Sequence, residues 1–320
     1  MSRASAHCII FEDIICSMAD HRWAQSLRSL RPLRFQQVAP PKMLFGTKLR
    51  TAGALFAGSF VTGVKFALCQ HEMAKAMNLL FPDLGPSPTE KDVLSVADMF
   101  YENGKIKELS ELLSAFKDST NSEFSWRLAR VGYELAKLSS GEEERKRLTY
   151  EAFERAKLAL QQDANNFACH KWYAILLDEL GKYEGVKSRL ERSPEVRLHF
   201  ENAIRLNPQD PTSFHCLGYW HYSFADLAWY QRKAAAAFFA TPPTSSYEEA
   251  IKYFEQAETV QPNFYSMNLL MLGKAYAKVG NGQKAEHYLR KLRDYPVRTA
   301  DDAKAKEEGV ALLKVTARSA

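Results

Sequence analysis

Four basic side chains recur at comparable places in successive stretches of this chain: Arg127, Lys171, His215 and Lys274, the first three spaced 44 residues apart. Cations gathered on a concave wall bind carboxylates through charge-assisted hydrogen bonds, and more strongly where the wall is shielded from water. Their expected partner is an acidic protein segment. The acids Asp98, Glu134 and Asp178 fall at related positions. Pairing with them is the competing reading, in which little net potential survives. A second group lies in residues 225–243 (ADLAWYQRKAAAAFFATPP), where Trp229, Tyr230, Phe238 and Phe239 flank an alanine run beside Arg232 and Lys233. Aromatic rings next to cations suit a partner or lipid surface, and equally an extra helix folded back onto the body.

Other chemistry is not expected. There is no nucleophile elbow, glycine-rich phosphate loop, HExxH or paired-carboxylate motif, so no catalytic residue and no cofactor is assigned. His215, Cys216 and His221 are close in sequence, but adjacent helical residues point about 100° apart, and no metal site is assigned to them. The five cysteines (Cys8, Cys16, Cys69, Cys169, Cys216) form no CxxC pair and read as reduced thiols. Apolar residues make up 46% and charged residues 25%, an ordinary globular composition. Of the net +5, residues 1–90 contribute 10 − 6 = +4, which leaves a nearly neutral body. With no recognition motif, nucleic acid is not an expected partner.

The elements that position the four cations come from an internal repeat of about 34 residues, the tetratricopeptide pattern, with starts at 90, 123, 167, 211 and 266. Leu272, Gly273, Tyr276, Gly280, Ala285 and Leu289 mark the last repeat, and Leu217, Gly218, Ala250, Phe254, Ala257 and Pro262 the one before it. Small residues let paired helices approach, and large apolar ones fill the gaps. The intervals of 33, 44, 44 and 55 place extra residues between the two helices of three repeats. Capping boxes are expected at 87–90 and 245–248, a helix start at Ser193-Pro194, and a terminal helix over 299–315. Residues 142–147 (EEERKR) read as a solvated turn. In such repeats the fifth and ninth positions of first helices line the groove. Arg127, Lys171 and His215 hold fifth positions and Lys274 a ninth.

Ahead of the repeats, residues 1–50 are a basic arm, with Trp23, Leu27, Leu30 and Leu33 interleaved among arginines as in a targeting signal. Residues 51–80 carry an apolar helix. Its stretch 51–69 (TAGALFAGSFVTGVKFALC) is about long enough to cross a bilayer, though Lys65 and three glycines weaken that reading. Membrane or lipid contact through 51–69 is the alternative to simple packing.

The segments WRLAR (126–130), HKWYAI (170–175), AWYQR (228–232), FATPP (239–243), NFYSMNLLMLGK (263–274) and DYP (294–296) resemble the regulator of microtubule dynamics family, most of all its mitochondrion-associated branch. The likeness covers residues 90–315. It implies a tetratricopeptide-like protein associated with microtubules, spindles and spindle poles. For some relatives it also implies a membrane anchor where mitochondria meet the endoplasmic reticulum. The expectation is an all-α, right-handed solenoid over 87–315 with inserted and lengthened helices. It would act without catalysis in the cytoplasm, its groove holding tubulin or another acidic segment. The alternative is an organelle-contact tether or lipid-handling module at the mitochondrial surface, with Leu94, Val131, Ile175, Tyr219, Tyr222, Met267 and Leu270 as an apolar inner wall.

Overall fold

The computed structural model describes residues 89–227 and 244–319, and among these there are eleven helices and no strand. They follow one another as α1 (Glu90–Glu102), α2 (Ile106–Ser114), α3 (Ser122–Leu138), α4 (Glu142–Gln162), α5 (Phe167–Glu184) and α6 (Val186–Leu206). The row continues with α7 (Pro211–Ala225), α8 (Tyr247–Val260), α9 (Ser266–Lys278), α10 (Gly282–Arg293) and α11 (Ala300–Ser319). The first helices of successive repeats begin at 90, 122, 167, 211 and 266, so the repeat spacing is realised as a tetratricopeptide-like solenoid.

The nesting follows the small-against-large rule. A Cβ added at Gly218 would stand 2.8 Å from the Phe254 ring, and one at Gly273 2.6 Å from Leu289 Cδ2. Both large partners are buried, so the glycines are what let α7 meet α8 and α9 meet α10. Short α2, with nine residues, could not persist alone in water. Leu109, Leu112 and Leu113 are buried along one of its faces, each contributing roughly 2 kcal/mol.

The extra residues of the 123 and 167 repeats lengthen helices, as expected: α4 and α6 are each 21 residues long, and only Gly185, at φ 88°, separates α5 from α6. Residues 142–147 form the first turns of α4, where Arg147 bridges Glu144 and Glu151. Two local expectations need correcting. Pro194 does not start a helix; it lies inside α6. Its missing N–H would have served Leu190, whose carbonyl accepts instead from Ser193 Oγ at 2.8 Å, and the helix runs on. The boxes are also displaced. Thr89 and Asp92 cap α1, and Ser246 caps α8 through Glu249 N.

The terminal helix forms with the expected cap, Thr299 and Asp302 exchanging hydrogen bonds. Ser266 Oγ also donates to Asp302, at 2.6 Å. Ala305, Leu312 and Leu313 join Tyr265, Leu269, Leu289 and Leu292 in one cluster, which covers the apolar end of the stack. At its start, Asp301 meets Lys137 of α3 at 3.5 Å, a pair 164 residues apart in sequence. The inner wall is core: Val131, Ile175, Tyr219, Tyr222, Met267 and Leu270 are all buried. Among the described residues no helix is long and apolar enough to cross a membrane. Residues 1–50 and 51–80, and the insertion residues Trp229, Tyr230, Arg232, Phe238 and Phe239, lie outside the described residues.

Candidate functional site

Three first helices deliver their N-termini to one place because each is capped by a side chain. Asn121 Oδ1 accepts from Glu123 N at the start of α3, Asn166 Oδ1 from Ala168 N at α5, and Asp210 Oδ2 from Ser213 N at α7. With the C-terminal half of α1 they enclose a pocket of about 320 Å³, into which both Arg127 and Lys171 project.

Arg127 grips Asp98 through two parallel bonds, Nε to Oδ1 at 3.0 Å and Nη2 to Oδ2 at 2.6 Å. Its Nη1 reaches Glu123 Oε2 at 2.6 Å, and the guanidinium lies 4.1 Å from the Trp126 ring centroid. One helical turn on, Arg130 sends Nη2 to Asp98 Oδ1 at 3.0 Å and stacks 3.8 Å above Tyr101. Arg130 Nε is buried without a hydrogen-bond partner among the described residues. Lys171 Nζ donates to Asp210 Oδ1 at 2.9 Å, with both side chains 8% exposed. Burial works against the charge of Asp98, but the hydrogen bonds and charges of Arg127 and Arg130 outweigh it and hold its carboxyl below the ordinary value.

The other two expected groove cations sit elsewhere, so the four do not form one basic track. His215 is completely buried, and its Nδ1 faces Asn268 Oδ1 at 2.9 Å. Both N–H bonds of that amide are spent on Phe254 O and Glu258 Oε1, so His215 carries its proton on Nδ1. Burial lowers its pKa to about 4, and the ring is neutral at pH 7. Lys274 binds Glu308 of α11 at 2.5 Å. Three of the four cations are paired, as in the competing reading: Arg127 with Asp98, Lys171 with Asp210 and Lys274 with Glu308. Of the three acids named for that pairing, only Asp98 takes part. Asp178 pairs with Arg189 in the interior, and Glu134 accepts from the Tyr101 hydroxyl. Arg130 and Asp210 escaped the sequence reading. Arg130 lies three residues beyond Arg127 on the same helical face, and Asp210 precedes Pro211 as a cap; both signals were present.

Residues 93–317, which include the whole pocket, match the family described as Regulator of microtubule dynamics protein 1-3. The chain is 48% identical over 224 residues to Regulator of microtubule dynamics protein 1 of Pongo abelii, covering 70% of this chain and 71% of that one. It is 51% identical over 189 residues to the protein of that name in Homo sapiens, covering 59% and 60%. With Regulator of microtubule dynamics protein 3 of Xenopus laevis it shares 35% over 195 residues, covering 61% and 42%. A thermophilic TPR protein of Thermus thermophilus superposes with a TM-score of 0.49 at 14% identity, over 70% of this chain and all of that one. On the strength of the family match and these identities, the chain belongs to the regulator of microtubule dynamics protein 1-3 family.

Proposed function

We propose that this chain is a non-catalytic interaction protein of the microtubule system, and that its pocket holds carboxylates of an acidic segment, tubulin's acidic tails or another of like charge. One observation supports the reading most: Arg127, Arg130 and Lys171 converge on a single pocket with aromatic walls. Guanidinium groups fixed on rings and by capped helices lose little entropy on binding a carboxylate. The chain acts in the cytoplasm on microtubules and spindles, with the basic arm of residues 1–50 deciding where it resides.

The test is co-sedimentation with microtubules of the full chain carrying Arg127→Gln and Lys171→Gln, its folding checked by thermal melt. The folded double variant should bind at least about tenfold more weakly. Undiminished binding excludes the pocket.

The second reading, an organelle-contact tether or lipid-handling module with mitochondrial association, would need an apolar cavity, whereas Val131, Ile175, Tyr219, Tyr222, Met267 and Leu270 are packed as core. Lipid co-purifying in stoichiometric amount, seen by mass spectrometry, would favour it. The insertion residues Trp229, Tyr230, Arg232, Phe238 and Phe239 are its proposed contact surface, along with residues 51–69.

A further inference from the structure

We propose that Asp98 is a built-in occupant of the carboxylate site, so that a partner's carboxylate enters by replacing Asp98 on Arg127 and Arg130. The proposal rests on the reading that the pocket binds acidic segments, and it adds how that binding is held in check.

The pocket's ion-paired carboxylates are not equivalent. Glu123 is fixed by Trp126 Nε1 at 3.0 Å and Asn166 Nδ2 at 2.5 Å as well as by Arg127. Asp210 caps α7 through Ser213 N and Ser213 Oγ besides pairing with Lys171, and it is buried. Both are parts of the scaffold. Among the described residues Asp98 makes no such bond and is held by the two arginines.

Its exposure is reversed as well. The Arg127 and Arg130 side chains are 9% and 8% exposed, while that of Asp98 is 40% exposed. The anion lies on the solvent side of cations that are themselves locked against Trp126 and Tyr101. It can therefore leave without moving them. The site also has donor capacity that Asp98 does not use: Arg130 Nε is buried and, among the described residues, unpartnered beside the Nη2 that binds Asp98 Oδ1. A carboxylate seated on the Nε/Nη2 edge of Arg130 would satisfy both donors, as the bidentate geometry of the guanidinium favours. Exchange of one carboxylate for another keeps the buried charges balanced, avoiding the penalty of a bare guanidinium. The ligand class is thus a carboxylate, from an acidic side chain or from a chain terminus.

The experiment compares full-length wild type, Asp98→Asn and Asp98→Ser, the smaller side chain being the second variant should the amide fold poorly. Two probes are titrated by fluorescence anisotropy: a glutamate-rich peptide with an amidated C-terminus, and a peptide without acidic side chains but with a free C-terminal carboxylate. Thermal melts are run with and without acetate. Removing Asp98 should tighten binding of the probe whose carboxylate fits by about tenfold or more, and acetate should raise the melting temperature of the variants but not of wild type. Tightening for the first probe alone assigns side-chain carboxylates, and for the second alone a chain terminus. Equal or weaker binding by both variants, with no effect of acetate, overturns the built-in occupant. If the Arg127→Gln, Lys171→Gln chain has meanwhile lost microtubules, the pocket reading survives that failure. If it has not, both fall.

Discussion

The two ends of the solenoid treat the same kind of side chain in opposite ways. Toward the start, Arg127 and Arg130 are set on aromatic rings, and their counter-ion Asp98 is left half in water. Toward the finish, His215 is sealed among Phe254, Tyr265 and Asn268, and Lys274, partly exposed, is paired with Glu308 of the terminal helix. The position within the repeat does not decide whether a basic residue is a binding group or part of the interior. What decides is what the neighbouring helix brings opposite it. At α3 and α5 the opposing residues leave a mouth of about 320 Å³. At α7 and α9 the opposing residues are rings, an amide and the last helix.

The sharpest way to break this contrast is to delete one cation at each end. Lys171→Met strands the Asp210 carboxylate, itself 8% exposed, and should cost about 3–5 kcal/mol in urea unfolding. Next comes acidification. His215 is held at a pKa of about 4 by burial, against 6.5 when unfolded. Between those values the unfolded chain takes up a proton that the folded ring refuses, so stability falls as pH drops from 6.5 toward 4, by about 3 kcal/mol from this ring. Urea midpoints measured at pH 7 and pH 4.5 should differ less in His215→Gln than in wild type. Below these stands Lys274→Met. Its pair is partly exposed, at 22% and 36%, and its loss should cost under about 1 kcal/mol while leaving the glutamate-rich peptide bound as before. A large loss of peptide affinity in that variant would mean the two ends work as one groove after all.

The fold was legible because its signals are local. The starts at 90, 123, 167, 211 and 266 come within one residue of the helices, since glycine and alanine at close approaches leave a periodic mark. The caps were displaced by one or two residues, because several Ser and Thr stand side by side and only the backbone chooses among them. Pro194 misled because proline alone argues for a boundary, and Ser193, which supplies the missing donor to Leu190, looks like a cap in sequence. The site was half legible. Helical period places Arg127 and Lys171 on the inner face, but it does not say that Asp98, 29 residues upstream, reaches the same guanidinium. Nor does it say that Asn268, 53 residues downstream, closes over His215. Such pairings depend on how one repeat is rotated against the next, which no single helix encodes.

The contact between Lys137 and Asp301 has a consequence for how this chain holds together. A stack of repeats ordinarily behaves as a row in which each member senses only its neighbours. Here α3 carries Arg127 in its first turns and Lys137 in its last, so the helix that builds the pocket also touches the start of the final helix. One ion pair thus ties the start of the last helix to the end of the helix that presents the arginines, a contact beyond those between neighbouring repeats.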